Sequence, residues 1–244
     1  TIYDVPNAKT TGIREKRGTP VHPFPTGAWR APANNTNTFA RESQVDILAA
    51  KAGIDPVQFR LDNLADEKMI AVIEALVEKF EYTPKAGPSG RGIGMACGTD
   101  AGTWVAVMIE VKVDINTGKV QPIKAVCSQD MGLCVNPQGS FIQAEGCVTM
   151  GMGYALSEDV EFKGGDVITS NFDSYQLPLF SWVPKTIDTV ILDRQDQDPQ
   201  GGGEPAIICM GGALANAIFD ACGARVYRMP MTPERILEAI KGQP

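Results

Sequence analysis

The chain has 244 residues, 43% of them hydrophobic and 21% charged, which is enough apolar material for a buried core in one large domain or two smaller ones. Its formal net charge of −7, with no basic block to offset it, excludes nucleic acid and anionic membrane surfaces as main partners. Charge, Gly or Pro interrupts every apolar run before it reaches the length of a membrane span.

Residues 1–33 are polar and broken by Pro6, Pro20, Pro23, Pro25 and Pro32, so they read as an extended arm and loop. From Asn37 the pattern changes. Phe39, Val45, Ile47, Leu48 and Ala52 recur at helical spacing, and Gly53 stops the helix. Asp55-Pro56 supplies an N-cap and a first-turn proline for a second helix lined by Val57, Phe59, Leu61 and Leu64. A third helix spans 67–80, with Ile70, Ile73, Leu76, Val77 and Phe80 on one face and the solvated Glu74 and Glu78 on another. Residues 87–94 are Gly-rich and read as a hinge. They set a boundary near residue 86, between an arm plus helical segment (1–86) and an α+β domain (87–244).

Beyond the hinge, residues 104–113 alternate and are β-branched, Asn116-Thr117-Gly118 forms a hairpin turn, and 120–127 is the return strand. Residues 141–154 form a helix whose Ala144, Gly146, Gly151 and Gly153 suit tight packing. Residues 160–162 and 167–170 flank a Gly164-Gly165 turn, 186–192 is a further strand, and 214–222 is an apolar helix. Helices with mostly antiparallel strands in this order predict the α+β class.

The six cysteines, Cys97, Cys127, Cys134, Cys147, Cys209 and Cys222, form no C-x-x-C pair, and His22 is the only histidine. Zinc or iron–sulfur ligation within this chain is not expected. The cysteines sit in apolar runs as small buried hydrophobes, which fits reduced thiols and favours the cytoplasm over the periplasm.

Three segments are candidates for chemistry. In Gly201-Gly202-Gly203-Glu204-Pro205 the glycines allow close backbone approach, and the proline locks the glutamate on a constrained loop. A solvated turn is the competing reading. In Trp29-Arg30-Ala31-Pro32 the arginine can bind a carboxylate or phosphate, or form a structural salt bridge. In the run from Asp130-Met131-Gly132 through Asn136-Pro137 to Gln143, the amide of Gln143 can read a heterocycle edge, against the alternative of a capping network.

The order and combination of these segments carry more than any one of them. The run Q-D-M-G, N-P, Q-A-E-G, G-M-G, followed by G-G-G-E-P, resembles the C-terminal region of the xanthine dehydrogenase/aldehyde oxidase superfamily of molybdenum hydroxylases. The earlier Y-D-V-P-N, G-A-W-R-A-P and F-A-R-E-S-Q-V-D-I-L-A-A-K-A-G-I-D-P-V-Q-F-R-L-D-N-L are similar to the branch of isoquinoline 1-oxidoreductase and related aldehyde dehydrogenase β subunits. The resemblance covers nearly the whole chain.

It implies a molybdopterin-binding domain of the xanthine oxidase type, a mixed, mostly antiparallel sheet with packed helices. It also implies a molybdenum cofactor, in the cytosine dinucleotide form, and oxidation of an aldehyde or N-heterocycle with water-derived oxygen. Glu204 is then the catalytic base, accepting a proton from the metal's hydroxyl. Desolvation of such a carboxyl disfavours its charged form and makes it a better base at neutral pH. Gly202 and Gly203 lie beside the metal, Gln143 hydrogen-bonds the pterin, and Arg30 belongs to the loop near the metal. Pro32 replaces the aromatic that flanks substrate in xanthine-oxidising members, which argues against a purine because stacking is lost on that side. The family's G-Q-G segment and its iron–sulfur cysteines are not in this sequence. The expected partners are therefore a companion chain carrying the rest of the molybdopterin site, a small [2Fe–2S] subunit that takes the electrons, and either a flavin subunit or a cytochrome beyond it. The alternative is a non-catalytic module that binds partner chains within such a complex.

Overall fold

The computed structural model describes residues 1–11, 27–84 and 87–242. The expected boundary near residue 86, His22, and the prolines at 20, 23 and 25 lie outside these residues. Three helices come first: α1 (Asn34–Ala52), α2 (Pro56–Asp62) and α3 (Glu67–Phe80). Their limits follow local chemistry. Gly53 ends α1 in the left-handed conformation (φ 67°), and the side chains of Asp55 and Asp66 cap α2 and α3 by accepting from the second and third backbone amides beyond each.

Strands β1 (Arg91–Asp100), β2 (Thr103–Val113) and β3 (Val120–Asp130) form an antiparallel meander, and β6 (Thr186–Ile191) joins β3 in parallel, giving the order β1-β2-β3-β6. The sheet is mixed and mostly antiparallel. Between β3 and β6 run α4 (Pro137–Leu156) and a small hairpin of β4 (Phe162–Lys163) and β5 (Asp166–Val167) around Gly164-Gly165. A 3-10 turn (Pro205–Cys209) leads directly into α5 (Met210–Cys222), and α6 (Pro233–Lys241) follows.

The sheet separates two apolar clusters. On one face α3 buries Met69, Val72, Ile73 and Leu76 completely against Met108 and Val126. At about 1.5–3 kcal/mol for each large apolar side chain, that stripe is ample to fix α3 on the sheet. On the other face α5 packs against Ala96, Val107 and Ile109, with α1 and α4 beside it. Both clusters draw on residues from either side of position 86. Among the described residues, one helical stretch, Pro205–Cys222, has the length and composition to cross a membrane, and it is 83% buried as the central helix of this core.

Several element limits differ from the sequence reading, α5 starting at Met210 rather than 214 among them, and three differences have a clear local cause. Gly92 and Gly94 belong to strand β1, not to a hinge. A Cβ at Gly92 would collide with the backbone of Ala217 and Ala221, and one at Gly94 with that of Ala213 and Ala217, so these glycines let α5 lie directly on the strand. Helix α4 starts at Pro137 rather than 141, because Asn136 caps it through Gly139 N at 3.0 Å. Helix α6 carries its own signal, the Thr232 cap followed by Pro233, which the periodicity argument passed over because the helix is short.

Candidate active site

The G-G-G-E loop is held from behind. Asp130, fully buried at the end of β3, accepts from Arg194 Nε at 3.0 Å and from the Gly132 amide at 3.1 Å. The turn so formed ties down the approach to the glycines: Gln200 N donates to Met131 O (2.7 Å) and Leu133 N donates to Gln197 O (3.2 Å). Gly201 N donates to Ala101 O (3.0 Å). None of the three glycines takes a left-handed conformation, and the requirement at Gly201 and Gly202 is steric. A Cβ at Gly202 would strike the Met131 methyl group, while one at Gly203 would meet nothing within 4 Å. The backbone at Gly203 therefore faces open space.

Glu204 stands at the N-terminus of the 3-10 turn that becomes α5, where the aligned peptide dipoles favour a negative charge. Its half-buried side chain does not cap that helix. It turns instead to the loop before α1, where Ala31 N donates to Glu204 Oε2 at 2.6 Å. Among the described residues, Oε1 has no partner.

Arg30, next in the same loop, donates through Nη2 to Gln143 Oε1 on α4 (2.7 Å) and to the Gly203 carbonyl, and its Nη1 lies 3.7 Å from Met150 Sδ. The buried Cys147 thiol donates to Gly203 O at 3.6 Å, and its pKa is raised by burial, against an opposing pull from Arg30. The five residues selected from sequence, Arg30, Gln143, Gly202, Gly203 and Glu204, thus converge from three separate segments.

Several residues at this place were not selected. Ala31 supplies only a backbone amide. Tyr154 OH donates to Ile207 O (3.0 Å), accepts from Gly211 N (2.8 Å) and packs edge-on to Trp29 at 5.4 Å, bracing the junction of the 3-10 turn and α5. Met131 and Cys147 back the glycine loop. Met131 falls within the Asp130-Met131-Gly132 segment but was not itself selected, and the others act through a backbone amide or through side-chain bonds to main-chain groups, which no spacing rule singles out.

Comparison with known proteins gives the class first. Residues 1–64 and 99–184 each match the description of a molybdopterin cofactor-binding domain, together more than half of the chain. The fold is similar to that of the aldehyde oxidoreductase from Desulfovibrio gigas (TM-score 0.71, 17% identity, 88% of this chain and 42% of that one). The sequence is 34% identical over 238 residues to a nicotinate dehydrogenase subunit of Pseudomonas putida, covering 91% of this chain and 20% of that protein. It is 29% identical over 234 residues to the beta subunit of isoquinoline 1-oxidoreductase from Brevundimonas diminuta, covering 95% of this chain and 29% of that protein. The chain belongs to the xanthine oxidase family of molybdenum hydroxylases and corresponds to molybdopterin-binding sequence within it. It spans less than a third of the length of these curated relatives.

Proposed function

We propose that this chain forms part of the catalytic subunit of a molybdenum hydroxylase that oxidises an aldehyde or an N-heterocycle, with Glu204 as its general base. The observation that carries the reading is the orientation of Glu204. A carboxylate at a helix N-terminus ordinarily satisfies its own helix. This one is drawn away by Ala31 N–H beside an open backbone edge at Gly203, with one oxygen left unpartnered among the described residues.

The residues fit a pterin. Gln143 is exposed, its Oε1 is occupied by Arg30, and its Nε2, without a partner among the described residues, remains for an acceptor on a heterocycle edge. The Gly202-Gly203 backbone presents no side chain to a planar group approaching from the open side. When bound there, the molybdenum cofactor supplies the oxygen-transfer and two-electron chemistry. Arg30 fixes Gln143 and the Gly203 carbonyl relative to each other. Ala31 N–H holds Oε2 of Glu204, and Oε1 takes the proton. A base held at a set distance contributes about 10²–10⁴-fold to such a step.

Residues outside this chain complete the cofactor site, since the chain spans less than a third of its curated relatives. In the same proposal the cofactor is the cytosine dinucleotide form, and a small [2Fe–2S] subunit takes the electrons. The relatives named for nicotinate and isoquinoline favour an electron-poor ring carbon as the substrate class, and those named for aldehydes favour an aldehyde.

Elemental and pterin analysis of the native complex containing this chain tests the reading. Molybdenum near one atom per copy, with cytidine monophosphate released on acid hydrolysis, is the expected result. A purified complex that contains the chain and its companion chains but no molybdenum would make it an assembly module instead.

A further inference from the structure

We propose that Asn35 is a positioning residue for the carboxylate of Glu204, acting through the peptide plane between Arg30 and Ala31. The loop before α1 has two alanines in the left-handed region, Ala31 at φ 54° and Ala33 at φ 64°. L-residues with a Cβ enter that region at a cost, so the surrounding structure must hold the turn. Asn35, in the first turn of α1 and 8% exposed, does so. Its Nδ2 donates to Arg30 O at 2.7 Å and to Ala31 O at 3.2 Å. Its Oδ1 is buried without a partner among the described residues, so the side chain serves here as a donor.

The geometry of the peptide unit makes that grip directional. Across a trans peptide the carbonyl of Arg30 and the amide of Ala31 lie in one plane and point to opposite sides. Asn35 holds the carbonyl at 2.7 Å, and Glu204 Oε2 accepts from the amide at 2.6 Å. The two interactions thus grip the two ends of one rigid unit. A rotation of the plane that frees Arg30 O swings Ala31 N–H away from Glu204. The same loop carries the Arg30 side chain to Gln143, so the orientation of both candidate site residues depends on it.

This inference rests on the reading of Glu204 as the base. In the assembled enzyme, Asn35→Asp keeps the shape of the side chain and removes both donated hydrogens. The expected results are molybdenum content unchanged, hydrogen exchange at the Ala31 amide faster by about tenfold or more, kcat lower by about tenfold and KM changed by less than about threefold. Unchanged exchange and kcat overturn the proposal. So does loss of molybdenum together with a lowered melting temperature and no selective gain in exchange at residue 31, because that pattern marks a purely structural residue. If the aspartate variant does not assemble, Asn35→Ser, with a single hydroxyl donor, is expected to give the same pattern at about threefold, and unchanged exchange there is equally fatal. Glu204→Gln measured beside it separates the two claims. Full turnover in Glu204→Gln defeats the role of Glu204, while exchange at residue 31 still decides whether Asn35 holds the plane.

Discussion

Arg30 joins segments 113 and 173 residues away, Gln143 and the Gly203 carbonyl, through one guanidinium nitrogen. Lysine carries the charge but is shorter and places its donors differently from Nη2, so Arg30→Lys is expected to keep the fold and lower kcat by about tenfold, read by steady-state kinetics with molybdenum content as control. Unaltered kcat would make the bridge incidental. Cys97 offers a different check. Burial first, and then the neighbouring Glu42 carboxylate, push its thiol up to about 12. It is therefore almost wholly protonated at pH 8 and is expected to resist alkylation in the native protein and to react once the protein is unfolded, as mass spectrometry of the labelled peptides would show. Glu204, Arg30, Gln143 and the two glycines of the candidate site were singled out in the sequence because motif order selects them. Ala31 and Asn35 were not, because what they contribute is the direction of a peptide plane, which no residue pattern encodes.

Among the elements, β1 is the instructive difference. Its Gly92 and Gly94 read as flexibility, whereas the structure uses them as clearance for α5. The helix they admit continues directly from the 3-10 turn that begins at the candidate base, so its seat on the sheet helps to set the position of Glu204. Gly94→Ala forces a methyl group into the backbone of Ala213 and Ala217 and is expected to destabilise the protein by roughly 3 kcal/mol, the upper part of the range for overpacking. Urea unfolding measures it, and a loss below about 0.5 kcal/mol, the ordinary level for a surface change, would mean that α5 does not seat on β1 this closely. Helix α3 was readable because it presents one regular apolar stripe to the core, and β2 and β3 because their β-branched runs flank a turn and are buried on both faces. Helix α1 was found as a helix, but its expected face was not, since Leu48 is 44% exposed and the buried side includes Thr38, Glu42 and Asp46.

At the scale of the molecule, a buried charge network ties the helical segment to the sheet. Glu42 and Arg60 are both fully buried and meet at 3.0 Å. Arg60 reaches Asp46 at 3.1 Å, and Asp46 lies 3.4 Å from Arg225. Tyr3 OH donates to Glu42, Arg60 Nη2 donates to Met95 O on β1, and Asn216 of α5 donates to the Glu42 and Met95 carbonyls. Nothing in F-R-L-D singles out Arg60, because sequence shows neither its depth nor its partners 14 and 18 residues back. Removing one member strands the others in the core. Arg60→Met is accordingly expected to cost about 3–5 kcal/mol, seen as a lowered denaturation midpoint, and a loss under about 1 kcal/mol would show that the network is solvated.

The central claim concerns one carboxylate, and Glu204→Gln in the assembled enzyme tests it most directly, with turnover and molybdenum measured on the same preparation. The amide keeps the size of the side chain and an oxygen for Ala31 N–H but cannot act as the base. The account predicts unchanged molybdenum and a fall in kcat of about 10²-fold or more. Wild-type turnover with the metal in place would contradict it.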